Sequence, residues 1–220
     1  MIAKDLISDA ILPVRPDDTF IQALSWMDEF RVAHLPVVDG SEYIGLLSED
    51  DIYGNSHFEE AIGSHALTLP KPYVDELRHV FEVLNLFSEH KLTLLPVLDD
   101  KNQYVGVITL EGLMQSFASI ASIQNPGSVI VLERNYTDYS LSEITQIIES
   151  NDATILSMFI TSVPESTLME ISIKINRMEL GPILQTFNRY NYIIKATYGE
   201  ASYYDDLKDR YDQLMTYLNV

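Results

Sequence analysis

Three residues in one short run, GLLSEDDI, could do the clearest chemistry in the sequence: Gly45, Ser48 and Asp51. Glycine has no Cβ, so the backbone at Gly45 can approach a ligand closely. Ser48 is predicted where a strand ends and a helix begins, so free N–H groups and its own hydroxyl favour a phosphate there. Asp51 follows one turn later, and its carboxylate can accept hydrogen bonds from two ribose hydroxyls. The run therefore predicts a site for a ribose phosphate.

The same residue types also have a purely structural interpretation. Ser48 followed three positions later by Asp51 is an acidic variant of the capping box, with Ser48 as the N-cap of a short helix. The neighbouring acids Glu49 and Asp50 are unfavourable beside a phosphate. Arg31 and Lys91, which occupy equivalent positions in the repeat described below, are bases that could offset them. A solvated helix end explains those two bases equally well.

A second copy of the run, GVITLEGL, departs from the first at one position. It keeps Gly106 and Thr109, but Gly112 stands where the first copy has Asp51. Glu111 is adjacent, yet one position along a helix lies about 100° around the axis, so it is a poor substitute. We therefore predict that the second site is degenerate or binds a group without a ribose diol.

The two copies belong to an internal repeat with a period near 60 residues. HLPVVDGSEYIGLL, from His34, aligns with LLPVLDDKNQYVGVI, from Leu94, after a one-residue insertion. Upstream, TFIQALSWMDEF aligns with HVFEVLNLFSEH, and both space their apolar residues as one face of a helix. Each copy predicts the order helix, strand, tight turn, strand, helix.

This pattern resembles the CBS domain, a family in which two βαββα units pack into a Bateman module. The resemblance covers residues 1–122 and divides them into a first repeat at 1–60 and a second at 61–122. It implies a regulatory module that binds AMP, ADP, ATP or a related adenosyl compound and controls an attached or partner protein. We assign ligand binding to Gly45, Ser48, Asp51 and Thr109, and we expect no required cofactor and no metal site.

The second half of the chain predicts a different domain. Turn formers mark a linker at 123–127, and residues 128–200 then follow the order βαββαβ, which is the ferredoxin-like arrangement. That order resembles the ACT domain, a small regulatory module. The family's usual glycine after the first strand is missing from 135–140, so assembly is the expected role there. Residues 201–220 are predicted as a C-terminal amphipathic helix, which completes an α+β chain similar to the acetoin-utilisation accessory proteins.

Composition excludes several classes of function. The 220 residues contain 33 acidic and 14 basic side chains, a net charge of −19. Such a surface repels nucleic acid and anionic lipid, so we expect neither as a partner. The absence of cysteine excludes disulfides and thiolate metal sites. With no apolar run near the roughly 20 residues that span a bilayer, and with early acids that disfavour a signal peptide, the expected localisation is cytoplasmic.

No reactive constellation stands out in the sequence. It has no nucleophile elbow, P-loop or dinucleotide fingerprint, so we predict no catalytic residues and no enzyme activity. The leading hypothesis is a regulatory module that senses an adenine nucleotide through its CBS pair and acts on an unknown regulated protein. The alternative is an interaction or scaffold protein that dimerises through its CBS and ACT-like surfaces and leaves its ligand sites empty. Both resemblances imply a homodimer, because Bateman modules and ACT domains commonly pair with a second copy.

Overall fold

The computed structural model describes residues 1–54, 58–64 and 69–199. The chain divides into two compact units, residues 1–117 and 118–220. Both units mix helices and strands, which confirms the predicted α+β class. No helix in the described ranges is long and apolar enough to cross a bilayer. The C-terminal helix predicted at 201–220 lies outside the described residues.

The first unit contains the two repeats. The elements of the first are α1 (Phe20–Phe30), β1 (His34–Asp39), β2 (Glu42–Ser48) and α2 (Glu49–Tyr53). Those of the second are β3 (Val74–Asp75), α3 (Val80–His90), β4 (Leu94–Leu98), β5 (Tyr104–Thr109) and α4 (Leu110–Ile120). Each repeat has an antiparallel hairpin, and β3 adds a parallel strand beside β4. In the first repeat, a single parallel bridge between Val14 and Val37 takes the place of that leading strand.

Helices α1 and α3 begin and end in the same way. Thr19 caps α1 and His79 caps α3, each through a side-chain atom that accepts a hydrogen bond from a backbone amide of the first turn. Each helix ends at a basic residue with left-handed backbone, Arg31 at φ 55° and Lys91 at φ 52°. Of the apolar positions spaced as a helix face in α1, Phe20, Ala23 and Met27 are buried, whereas Leu24 and Phe30 are half-buried. The equivalent positions in α3 are buried as well: Val80, Val83 and Phe87.

The two repeats interlock through the segments that precede their first helices. Ser8 donates its backbone N–H to the carbonyl of Val107 on β5 at 2.8 Å. Leu46 on β2 likewise donates to the carbonyl of Pro70 at 3.0 Å. Each leading segment therefore lies along the second hairpin strand of the other repeat. Residues from both repeats form one shared core, so neither repeat closes its core alone.

The two hairpins meet in a small cluster that contains Tyr43 and Tyr104. The Tyr43 hydroxyl donates to the carbonyl of Pro72 at 3.0 Å. The Tyr104 hydroxyl is buried without a hydrogen-bond partner among the described residues. Burial raises the pKa of both phenols, that of Tyr104 to about 12, so both are neutral at physiological pH.

This difference predicts opposite effects for the same substitution at the two tyrosines. Tyr43→Phe should cost about 1 kcal/mol of unfolding free energy, because it leaves the Pro72 carbonyl unpaired. Tyr104→Phe should stabilise the protein by up to about 1 kcal/mol, because it removes a hydroxyl that is desolvated without compensation. Urea unfolding of both variants measures the two effects. Equal losses at the two positions would contradict the assignment.

The second unit has the ferredoxin-like order predicted from the sequence. Its elements are β6 (Ser128–Asn135), α5 (Leu141–Glu149), β7 (Ile155–Ser162), β8 (Leu168–Ile175), α6 (Gly181–Arg189) and β9 (Ile193–Tyr198). The strands form one sheet in the order β7-β8-β6-β9, and every neighbouring pair is antiparallel. This is the sheet of two interleaved βαβ units. Alternate residues of β8 and the apolar faces of both helices form its core.

Side-chain contacts within the unit fix the loop that follows β6. The Arg134 guanidinium donates to the carbonyl of Asn191 at 2.7 Å and lies 4.3 Å from the centre of the Tyr192 ring. The Tyr192 hydroxyl donates to a carboxylate oxygen of Glu143 at 2.6 Å. Arg134 Nε also donates to the carbonyl of Asp138 at 3.3 Å, which ties the loop without glycine to the end of β6.

Candidate functional site

The first predicted motif forms a closed set of hydrogen bonds. Ser48 is the N-cap of α2, and its Oγ accepts the Asp51 amide at 3.1 Å. Asp51 Oδ2 in turn accepts the Ser48 amide at 2.9 Å and the Ser48 hydroxyl at 2.6 Å. The two predicted ligand groups therefore bind each other in a capping box. The structural interpretation of this pair is present in the protein, and a ligand would have to replace these bonds.

Gly45 has a neighbour that the sequence did not suggest. A Cβ built on Gly45 would lie 2.5 Å from the Cβ of Leu69 and 3.4 Å from the carbonyl oxygen of Pro70. The close approach that glycine permits here is made by the leading segment of the second repeat. Gly106, at the equivalent position of β5, is covered in the same way by Ile7, with 2.5 Å to its Cγ2. Both glycines serve the interlock of the repeats.

The second predicted motif begins the longer helix α4. Thr109 Oγ1 accepts the backbone N–H of Gly112 at 3.1 Å, so the threonine caps the helix. The carbonyl of Thr93 accepts the N–H of Leu110 at 3.0 Å. Because Gly112 has no side chain, the hydroxyl of Thr109 is not bound by a carboxylate as the Ser48 hydroxyl is.

A cavity of about 510 Å³ opens beside Thr109. Four parts of the first unit form its wall: the leading segment of the first repeat, the end of α1, Thr93 before β4 and the start of α4. Its surface combines apolar side chains with a few polar groups, and the lining includes Ile11, Phe30, Arg31, Thr109, Glu111 and Met114. Such a volume and such a lining are typical of sites for small organic ligands.

Arg31 and Glu111 are the charged residues in the wall of this cavity. Arg31 is exposed and forms no ion pair within the described ranges. Glu111 Oε1 accepts from Gln115 Nε2 at 3.3 Å, one turn further along α4. The wall of this partly apolar cavity therefore includes an arginine without an ion pair among the described residues and the N-terminus of an eleven-residue helix.

A hydrogen-bonded pair of His34 and Thr93 lies between the two motifs. His34 Nδ1 is 2.9 Å from Thr93 Oγ1 and accepts the Thr93 amide at 3.4 Å, and Thr93 Oγ1 accepts the Ala33 amide at 3.0 Å. Burial lowers the pKa of His34, although the carboxylates of α2 oppose that effect. A neutral imidazole that accepts the Thr93 amide at Nδ1 carries its proton on Nε2. Thr93 also lines the cavity, so this pair joins the two motif regions.

The structure thus distributes the four predicted ligand residues over different environments. Ser48 and Asp51 lie together, Gly45 packs against Leu69, and Thr109 lines the cavity. The parts of the cavity wall at Phe30 and in the leading segment were not predicted from the sequence. A hint of this wall was present in the sequence, because Arg31 and Lys91 occupy equivalent positions in the two repeats. Each follows the first helix of its repeat, and Arg31 lines the cavity. No group of three or more His, Asp or Glu side chains suited to a metal ion occurs among the described residues.

Comparison with known families now decides what the interlocked repeats are. The CBS domain family matches this chain twice, at residues 3–56 and at residues 66–119. The chain contains a tandem pair of CBS domains. The predicted resemblance to this family is therefore confirmed, and the pair is a Bateman module.

Relatives of known sequence match through this CBS pair. An inosine-5′-monophosphate dehydrogenase of Methanocaldococcus jannaschii is 25% identical over 114 residues, which cover 51% of this chain and 23% of the enzyme. An uncharacterised protein of Helicobacter pylori strain J99 is 30% identical over 118 residues, or 51% of this chain and 36% of that protein. The chain spans well under half the length of either relative, and the alignment with the dehydrogenase is confined to about half of this chain.

Solved structures with CBS domains are also similar. A CBS domain pair/ACT domain protein of Thermotoga maritima is 21% identical, with a TM-score of 0.48 over 54% of this chain and 98% of that one. A structure of CBSX2 in complex with AMP is 22% identical, with a TM-score of 0.47 over 54% of this chain and 97% of that one.

Proposed function

We propose that the CBS pair is a non-catalytic regulatory module that binds an adenine nucleotide or related adenosyl compound in the cavity beside Thr109. The cavity itself is the observation that carries the proposal. Its volume suits a ligand of nucleotide size. Ile11, Phe30 and Met114 offer an apolar surface for a base, while the start of α4 and Arg31 favour a phosphate.

The first motif is the proposed second site of the pair. Ser48 and Asp51 retain the groups for a phosphate and a ribose diol, but each now satisfies the other. A ligand there has to replace the bond between hydroxyl and carboxylate. In contrast to the expectation of a degenerate second site, we therefore place the stronger site at Thr109, whose hydroxyl is not engaged by a carboxylate.

The closed Ser48–Asp51 pair also supports the scaffold alternative. In that case the CBS pair and the second unit provide surfaces for dimerisation, and the ligand sites stay empty. We further propose that the second unit is an ACT-like domain with an assembly role, because its strand order is ferredoxin-like and Arg134 donates to the carbonyl of Asp138 in its first loop. The similarity to acetoin-utilisation accessory proteins, the homodimer, the regulated partner and the cytoplasmic location belong to the same proposal.

A thermal-shift panel of AMP, ADP, ATP, NAD and S-adenosylmethionine tests the sensing function. A ligand present at about 100 times its dissociation constant stabilises the native state by roughly 2.7 kcal/mol. For a chain of this size each kcal/mol raises Tm by roughly 2–4 °C, so we expect a shift of about 5–10 °C. Thr109→Val should remove most of that shift and Thr109→Ser should retain it, whereas Ser48→Ala should leave most of it.

The ligand-induced shift is compared within each variant, since Thr109→Val also removes a helix cap and lowers the unliganded Tm by itself. A shift lost in Ser48→Ala but kept in Thr109→Val would place the main site at the first motif. If no member of the panel raises Tm by a degree, with or without magnesium, sensing is wrong and the scaffold alternative remains.

A further inference from the structure

The two motifs of the CBS pair differ in the side chain that can accept hydrogen bonds from the ribose hydroxyls. At the third residue of the helix the first motif has Asp51, whereas the second has Gly112. From this difference we propose that the cavity beside Thr109 recognises its nucleotide by phosphate and base alone, so that it accepts 2′-deoxynucleotides as readily as ribonucleotides. The inference rests on the proposed function and specifies the ligand class of the same cavity.

No carboxylate of α4 replaces the missing one. Gly112 contributes only its backbone N–H, which is already donated to Thr109 Oγ1. Glu111 is next to it and lines the cavity, but it lies about 100° around the helix axis from the position that Asp51 has in the first motif. A ribose diol bound here loses two bonds to water without a carboxylate placed as Asp51 is to take both hydroxyls.

The neutral hydroxyls of the wall are partly committed as well. Ser8 Oγ accepts the Ala10 amide at 3.3 Å. Thr93 Oγ1 accepts the Ala33 amide and pairs with His34. Hydrogen bonds between neutral groups contribute less than those to a charged group, so neither hydroxyl supplies the discrimination of a carboxylate.

Arg31, in contrast, favours binding of the phosphate group of a nucleotide. Arg31 lines the cavity and has no ion pair with any described residue. Arginine binds phosphate oxygens through charge-assisted and often bidentate hydrogen bonds. Lys91 is its matched counterpart, since it ends α3 with the same left-handed backbone and does not line this cavity.

The experiment is calorimetric titration of the full-length Ser48→Ala chain, in which only the second motif keeps its hydroxyl. AMP, 2′-deoxy-AMP and adenosine are the probes. We expect the dissociation constants of AMP and 2′-deoxy-AMP to agree within about threefold, and adenosine to bind at least about tenfold more weakly, since it lacks the charged group. Arg31→Gln should weaken AMP about tenfold and leave adenosine unchanged, while Lys91→Gln should change neither.

Gly112→Asp should create the ribose preference that the natural cavity lacks, seen as a ratio of at least about tenfold between the dissociation constants of 2′-deoxy-AMP and AMP. Both nucleotides should bind this variant more weakly than the natural cavity, because the new carboxylate also engages the Thr109 hydroxyl as Asp51 engages Ser48. The added Cβ lies 3.1 Å from Thr109 Oγ1, and the Ser48–Asp51 pair shows that a capping box accommodates this contact. Gly112→Ala is the control that removes the glycine without adding a carboxylate.

The outcomes separate the inference from the function on which it rests. A natural Gly112 cavity that binds AMP but not 2′-deoxy-AMP overturns the inference and leaves the sensing function intact. AMP binding by the unmodified chain but not by Ser48→Ala does the same, because the ligand then occupies the first motif. Failure of every nucleotide to bind the unmodified chain overturns both.

Discussion

Replacing Gly127 with alanine should destabilise the second unit by about 4 kcal/mol or more, which is among the largest effects of a single substitution. A Cβ at this position would lie 1.9 Å from the carbonyl oxygen of Ile175. The clashing atom belongs to the backbone of β8, so no rotation of a side chain can relieve the contact. Gly127 also has φ 148°, a value at which L residues are strained. The sheet must therefore separate at the β6–β8 pair to accept the methyl group.

Gly181→Ala is the matched control in the same unit. Gly181 is the first residue of α6, and a Cβ there meets nothing within 4 Å. Both substitutions restrict the unfolded chain to a similar extent, so that contribution cancels in the comparison. We expect Gly181→Ala to be neutral or to stabilise the unit by up to about 1 kcal/mol. Urea midpoints at fixed m-value measure both effects, and a Gly127→Ala midpoint equal to that of Gly181→Ala would refute the assigned clash.

The sequence predicted the order of elements well because that order follows from local patterns. Met169, Ile171 and Ile173 alternate with polar residues, a pattern typical of a half-exposed strand, and they lie in β8. The apolar spacing from Phe20 likewise predicts α1. Gly127 was recognised only as a turn former. Its close contact with Ile175 joins residues far apart in sequence, and no local pattern of residue types records such a contact.

At the candidate site, too, local patterns predicted contacts between neighbouring residues but not contacts between distant segments. The capping-box alternative at Ser48 and Asp51 was visible in the sequence, because it depends on residues three positions apart. The cavity beside Thr109 was not, because its wall also needs Ile11 and Phe30 from distant segments. Only the interlock of the two repeats brings those segments to α4.

Gly45→Ala should destabilise the first unit by about 3 kcal/mol, the upper range for overpacking of a filled core. The new Cβ would lie 2.5 Å from the Cβ of Leu69, an atom fixed to the backbone of the crossing segment. The segment from Leu69 to Pro70 would have to move away from β2 and weaken the bond from the Leu46 amide. The loss is expected without any ligand and is measured as the change in urea midpoint.

A double-mutant cycle with Leu69→Gly isolates the clash. Leu69→Gly removes the Cβ that Gly45→Ala meets, so the second substitution should cost almost nothing in that background, even though Leu69→Gly is itself destabilising. The coupling energy between the two positions should then be about 2–3 kcal/mol, at the upper end for residues in direct contact. If Gly45 instead serves only a ligand's approach, Gly45→Ala leaves the unliganded midpoint unchanged and lowers nucleotide affinity alone. A coupling energy near zero would favour that interpretation, because packing against Leu69 would then not require glycine at position 45.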